Sequence, residues 1–596
     1  MLSRVDRDMR RLTKQGTRRF GRAGALAAAL AAVPSCGASP TAPDPGPVAE
    51  LTFTSSTLDL SGDLQAGTSL RNVGTLALGP ITLAVGQLEL GGVSVPGASV
   101  EASPAEVATL NPGASVNLTV SVVSDVALQP GSYSARLDAV VSGRSEASVG
   151  LGFVVEAPAV DVASIEIPGA PVGARQGDVL VLRAEARDES GSTMDGVQIA
   201  WAVSPPGAGL ITAEGRFVGY EPGVAQITAS AGDQEATATI EISPRGLTQG
   251  SFAVFGQGAQ DLRFNSDLWL HGDCAYTGTW GDRQGQLGNT LNVWDISDPA
   301  RPELTAELGV DARVVNDVKV RSDGKVAVIS HEFSIDQQNG VTLLDLSGDC
   351  SASVLSRFAA GLQSGVHNVW VEGDFVYVVA DGVGSGLRIL DISDPKSPTV
   401  VAAFADPFSF LHDVYVRDGL AFLSHWDSGL IILDVGNGIV GGSPSDPREV
   451  SRIRTSGGQT HNAWYWPERG LVFVGEEDFA TPGIMHVVDV ADLFAPVEVA
   501  TFRVAADTPH NFWLDEEREI LHMAWYTQGI ISLDVSGGLL GELERQGRTM
   551  ASQRYSGLGA CPGSATGTCT WAPQLHEGLL YVADMNTGLW VLTPEF

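Results

Sequence analysis

Residues Val366 to Phe404 read VHNVWVEGDFVYVVADGVGSGLRILDISDPKSPTVVAAF. Four short apolar runs rich in Val, Ile and aromatic residues lie here, separated by Gly-Asp, Asp-Gly and Ser-Asp-Pro turn signals. Runs of this length and composition between such turns predict antiparallel strands joined by hairpins. The pattern predicts one four-stranded sheet.

The same unit recurs from Leu247 onward. Its third strand returns as LNVWDISDP with Asp295, VTLLDLSGD with Asp345, LRILDISDP with Asp391, LIILDVGNG with Asp434, MHVVDVADL with Asp489, IISLDVSGG with Asp534, and finally GLWVLTPEF. Successive aspartates are 50, 46, 43, 55 and 45 residues apart. That period belongs to the blade of a propeller rather than to a helical or leucine-rich solenoid. The segment SFAVFGQGAQDLRFNSD before the first full repeat matches TVVAAFADPFSFLHD between later ones, whereas the chain ends after a third strand. Residues 251–255 are therefore expected to supply the outer strand of the last blade and to remove an open sheet edge.

On these residues, above all Val366–Phe404, the segment 250–596 resembles the LVIVD-repeat family of bacterial and archaeal propellers. The resemblance implies an all-β fold with a seven-bladed β-propeller over 245–596. The later repeats depart from the family by losing the Asp-Pro turn, as at Gly436-Asn437 and Gly537-Gly538.

Upstream, 49–157 contains alternating strands such as SVNLTVSVV and SYSARLDAVV. They fit a β-sandwich resembling the Ig-like domains of bacterial surface proteins. Residues 158–244, with the Trp201 strand and the ITAEGRFVGYEPGVAQITAS hairpin, resemble the bacterial Ig-like group 2 domain. That likeness implies a spacer or adhesion module without catalytic residues. Residues 37–48 lack apolar periodicity and read as a tether.

The extreme N-terminus has its own logic. Residues 1–22 carry eight Lys/Arg and two Asp/Glu, followed by the apolar run Ala23–Val33 and then Val33-Pro34-Ser35-Cys36. This is the layout of an export signal over 1–36, and its apolar run is too short to span a bilayer. The last four residues resemble a lipobox, which implies lipidation of Cys36. The alternative is plain cleavage and secretion. Either way the chain is expected outside the cytoplasm, at the cell envelope or surface, with the membrane reached only through the lipid.

The whole chain carries a net charge of −34, and without residues 1–22 it carries −40. Such a surface repels phosphate backbones, so nucleic acid is excluded as a partner. Beyond Cys36 four cysteines remain, an even number for an oxidising compartment. Cys561 and Cys569 close a short Gly/Ser/Thr loop and are expected to pair; pairing of Cys274 with Cys350 depends on the repeat geometry.

Aligned repeats place Ser266, Asn316, His367, His412, His461, His510 and Trp571 at the start of successive inner strands. The loops after the second strands bring His331, Glu332, Asp381, His425, Glu476, Glu477 and Asp584 towards the same mouth. Three readings stand side by side, one of them acid/base catalysis by these groups without a metal. Imidazoles with acidic neighbours suit a transition-metal site, with His367, His412, His461, His510, His331, His425 and Glu476 as candidate ligands. Alternatively, each His or Asn bonds the connector of the adjacent blade and has been copied with the repeat. Trp370, Tyr415, Trp464 and Trp513 follow three positions later, and strand alternation puts them between blades. Trp426 and Trp525, in the top loops, are candidates for a sugar or peptide groove. The repeated Asp-Ile-Ser-Asp-Pro is read as a turn cap rather than a calcium site.

No G-x-S-x-G, H-E-x-x-H or phosphate-binding glycine loop is present. The sequence therefore favours a monomeric, non-enzymatic binding module for an envelope or extracellular protein or glycan. A metal-dependent enzyme built on the histidine cluster is the rival, and a purely structural role in the envelope is a third possibility.

Overall fold

A computed structural model describes residues 51–596 except 56, 61–63, 91, 92, 96, 125, 142, 143, 156–160, 248, 383, 480, 481, 556–560 and 562–566. The export signal, Cys36 and the tether lie outside the described residues. Among the described residues the fold is all β, with only single 3₁₀ turns at Pro467–Arg469 and Leu543–Arg545. No helix among them is long and apolar enough to cross a membrane.

Two compact units are present. The first takes the described parts of Met1–Leu88, Gly97–Ala127 and Tyr133–Val154. One of its sheets has the order Leu51–Phe53, Gln65–Asn72, Ser115–Ser124, Ala98–Ser103. Burial alternates along Gln65–Asn72 and Ser115–Ser124, so each strand has one wet and one dry face.

The second unit holds Glu89–Pro96, Leu128–Ser132 and Val155–Phe596. It opens with a four-stranded sheet in the order Gly173–Arg175, Gln234–Ser243, Gly223–Ala231, Ala200–Ser204, facing a three-stranded one. Seven sheets follow, each built on four antiparallel strands. Their inner strands are Phe264–His271, Val318–Val320, Val366–Glu372, Leu411–Arg417, Thr460–Trp466, Phe512–Asp515 and Thr570–His576. In the last sheet the outer strand is Ser251–Ala259, paired from Ser251↔Glu595 to Ala259↔Gly588.

The core lies between neighbouring sheets. Val326, Val328 and Val341 of one sheet pack on Val366, Val369 and Val376 of the next. A further cluster joins Leu268 and Trp294 of the first of the seven to Tyr581, Leu589 and Val591 of the last. Both faces of each sheet are thereby covered, which explains why the second and third strands are continuous apolar runs. The glycine opening each third strand has a steric cause: Gly386 and Gly429 have φ of 60° and 87°, and a Cβ there would collide with the carbonyls of Phe404 and Ile453.

The third-strand aspartates cap the following turns. Asp295, Asp345 and Asp391 accept from the backbone N–H of Ser297, Ser347 and Ser393 at 2.9, 2.9 and 2.8 Å. Both cysteine pairs form disulfides. Cys274–Cys350 ties the second strand of one sheet to the segment leading into the outer strand of the next, and Cys561–Cys569 closes a short loop.

Candidate functional site

The site begins with an irregularity repeated along the inner strands. Pairing with the second strand skips residues between Asn265 and Leu268, Val366 and Val369, Leu411 and Asp413, Thr460 and Asn462, and Thr570 and Ala572. Each skip is a β-bulge, which frees the extra residue from the ladder and re-aims its side chain. His367, His412, His461 and Trp571 are such residues, and with His510 they line one polar cavity.

The rings make an arc. Centroids of His367–His412, His412–His461 and His461–His510 are each 4.4 Å apart, and His510–Trp571 are 4.2 Å apart. The structure thus brings together four of the candidate ligands. Their backbone-side bonds follow one scheme. Asn316 Nδ2 donates to His367 O at 2.8 Å, His412 Nδ1 to His461 O at 3.3 Å, and His510 Nδ1 to Trp571 O at 2.7 Å. A side chain at the head of one inner strand therefore bonds the backbone of the equivalent residue of the next sheet. The bond also fixes the tautomer of His412 and His510: with the proton on Nδ1, Nε2 presents a lone pair.

His367 behaves differently. Its Nδ1 meets Glu332 Oε1 at 2.8 Å. Burial opposes its charge, but Glu332, Asp381 and Glu477 together raise its pKa to about 9. Burial and the neighbouring imidazoles push His412 and His461 well below the ordinary histidine value, so both are neutral.

Below the histidines the channel departs from the sequence-based expectation. Trp370, Tyr415, Trp464 and Trp513 line the cavity on the inner strands. With Trp269 they close a ring of edge and tilted contacts, from 4.6 Å for Trp370–Tyr415 to 6.4 Å for Trp269–Trp513. The bulge adds a residue and brings these rings to the cavity, while Tyr415 is also buried in the core between two sheets with Trp370 and Trp464 packed against it, as expected.

A second correction concerns the second strands. His331, His425, Glu476 and Trp525 do not reach the mouth. His331 and His425 are fully buried, His331 with no hydrogen-bond partner on either nitrogen among the described residues, and burial drives them to about 3 and about 4. Glu476 faces the interior, its Oε2 3.6 Å from His486 Nε2. Trp525 is in an apolar cluster beside Phe502, so it offers no groove. Asp584 caps the backbone of Cys569 and Asn586 instead. The mouth is furnished one residue later, by Glu332, Asp381, Trp426, Glu477 and Tyr526. Trp426 stacks between Phe410 at 5.2 Å and His412 at 5.0 Å.

Tyr526, which the sequence did not single out, donates its hydroxyl to Glu477 Oε1 at 2.5 Å. The other oxygen, Oε2, lies 3.9 Å from both His412 Nε2 and His461 Nε2. Burial, opposed by the Tyr526 bond, raises Glu477 to about 7. Two groups of three converge: His412, His461 and Glu477, and beside them Glu332, His367 and Asp381, the donor atoms of each group lying within 4.8 Å of one another.

No curated protein matches this sequence. Among solved structures, the Cps50 (Swd1) β-propeller domain of Myceliophteria thermophila aligns with 57% of this chain and 98% of its own length, at 11% identity and a TM-score of 0.40. Residues 265–308, 365–406 and 412–455 each match the LVIVD repeat. These matches fall on the first, third and fourth of the seven sheets described above, and they show that the chain carries propeller repeats of the LVIVD type.

Proposed function

We propose that the chain is an exported, lipid-anchored envelope or surface protein. In it a seven-bladed propeller, carried on two Ig-like sandwiches, uses its histidine-bearing mouth to bind an envelope or extracellular protein or glycan. The observation that carries this reading is the apolar rim around the polar mouth. Phe333, Ile335, Phe408 and Phe479 are 43%, 77%, 67% and 48% exposed. Phe333 follows Glu332, Phe408 lies in the loop leading to His412, and Phe479 packs 5.2 Å from Tyr526. Large apolar side chains gathered on a water-facing surface mark a contact site, and aromatic ones suit sugar faces as well as protein.

The acidic charge and the export-signal pattern agree with life outside the cytoplasm. The test is co-sedimentation of the full chain with purified envelope fractions, peptidoglycan and membrane separately. Binding to one fraction should fall at least tenfold in a Phe333→Ser, Phe408→Ser, Phe479→Ser variant with an unchanged melting temperature. Binding that survives the triple change, or none to any fraction, would overturn the proposal.

A further inference from the structure

Three atoms able to ligate a metal, His412 Nε2, His461 Nε2 and Glu477 Oε2, converge at the mouth within 4.8 Å of one another. His412 Nε2 carries a lone pair because Nδ1 is committed to His461 O. Glu477 Oε2 is a carboxylate oxygen whose partner oxygen is already held by Tyr526. His461 Nε2 completes the set at 3.9 Å from Glu477 Oε2, too long for a hydrogen bond, and a neutral His461 with its proton on Nδ1 leaves this nitrogen open to an ion. The side chains are 11%, 3% and 9% exposed for His412, His461 and Glu477, so water screens this arrangement poorly. Converging ligand atoms in a buried place suit a cation held among them.

The repeat explains only part of the arrangement. It accounts for the histidines at three of the bulges and, at His412 and His510, for the Nδ1 bond to the next sheet, but that bond uses the nitrogen that a metal would not need. It does not account for Glu477. At the equivalent position the other sheets carry Trp280, Glu332, Asp381, Trp426, Tyr526 and Met585. An acid stands opposite two neutral imidazoles here, and Tyr526 orients it from behind. Ligating side chains held at their far ends by such bonds are the usual architecture around a protein-bound metal.

We propose that His412, His461 and Glu477 bind one divalent transition-metal ion of the zinc or ferrous class. Two imidazoles and a carboxylate match the preference of such ions, whereas magnesium or calcium would require an oxygen set. On a tetrahedral ion the donors would stand ~3.3 Å apart, so binding draws Glu477 and the two imidazoles inward from their 3.9 Å separations. Three protein ligands leave at least one position open to the cavity that His367 and His510 also line. An ion there is of the open kind, able to take water or a ligand's oxygen. This inference is independent of what the rim binds.

Cobalt(II) tests it on the full chain, stripped with chelator and dialysed free of it. The expected result is uptake of one cobalt per chain with visible d–d absorption, displaced by zinc. Affinity should fall by more than about 100-fold in His412→Gln and in Glu477→Gln, and by about 10-fold in Tyr526→Phe, which removes only the orienting bond. His576→Gln, away from the cavity, should change nothing. Should a variant fail to fold, long-range ¹⁵N spectra of the wild-type chain decide: zinc must shift the Nε2 resonances of His412 and His461. A folded wild-type chain that takes up neither cobalt nor zinc overturns the proposal. So does uptake with those resonances unmoved, or with affinity unchanged in Glu477→Gln.

Discussion

At the scale of single residues, the most consequential group outside the histidine arc is Lys319. Its ammonium is buried on the channel axis, donating to Asp267 Oδ2 at 2.6 Å and to Asp317, and lying 5.3 Å from the centroid of Trp269. Burial opposes its charge, but the two carboxylates outweigh burial and keep it protonated. The same aspartates reach further: Asp267 accepts from Asn511 at 2.8 Å and Asp317 from the Val369 N–H at 2.8 Å. One lysine therefore neutralises a network touching four sheets. Removing one partner of a buried ion pair leaves a charge without compensation, at a cost of about 3–5 kcal/mol. Lys319→Met should lose that much in urea unfolding, and adding Asp317→Asn should restore part of it.

Asp434 supplies the clearest pH dependence. Its carboxylate is buried and accepts the N–H groups of Gly436, Gly438, Val440 and Gly442 at 2.9–3.0 Å. Burial alone would raise its pKa, but these bonds win and lower it. A group depressed on folding adds stability that is complete above its unfolded value, ~3.9, and is lost as pH falls through the folded one. Asp434→Asn should therefore cost about 2 kcal/mol at neutral pH. The gap to wild type should narrow as the pH drops below about 4. A gap constant from pH 7 to 3 would show that the charge does not contribute.

At the scale of elements, what could be read from sequence depended on periodicity. The strand sets, the turn-capping aspartates and the LVIVD resemblance are legible because a strand of Val, Ile and Leu bounded by Asp-Pro or Gly looks the same in every copy. Side-chain direction at strand ends was not legible. Glu476 and Glu477 are both acidic, and nothing in their order shows that Glu476 turns inward to His486 while Glu477 turns to the mouth; the pair His425-Trp426 poses the same choice. The bulges were equally hidden, since an extra residue leaves no mark when Asn368 and Asp413 beside it are polar too. The missed bulge hid that Trp370 and its equivalents reach the channel as well as the core between sheets. The disulfides offer an element-scale check. Cys274 and Cys350 are 76 residues apart and Cys561 and Cys569 only 8. Loop-closure entropy then assigns the first about 4 kcal/mol and the second about 2.5 kcal/mol. Replacing each pair by Ala and comparing urea midpoints should rank them in that order.

At the scale of the whole second unit, the sheets built from Gly173–Ser243 are fastened to the propeller through one aspartate of the repeat. Asp534 still caps its turn at Ser536 N, 2.9 Å away, but it also accepts from Arg245 Nε at 2.6 Å. Around this pair Arg548 donates to Gly177 O at 2.6 Å, Gln176 Nε2 to Arg545 O at 2.9 Å, and Tyr220 packs on Leu540. Arg245 and Asp534 side chains are 1% and 8% exposed. They are 289 residues apart in sequence, and no local pattern links them. Because Arg245 lies in the connector between the two modules, the ion pair decides whether that connector is a hinge or a fixed joint. With Asp534→Asn the guanidinium stays buried beside a neutral partner, and a cost of about 3 kcal/mol is enough to open the joint. Opening can be read at the bond following Arg245, which trypsin cannot reach while the side chain is buried. Cleavage there should be slow in the wild-type chain and about 100-fold faster in Asp534→Asn, while cuts elsewhere in the propeller keep their rates. Equal rates at Arg245 in both proteins would mean that Tyr220, Leu540 and the bond from the Arg548 guanidinium to Gly177 O hold the joint without the ion pair.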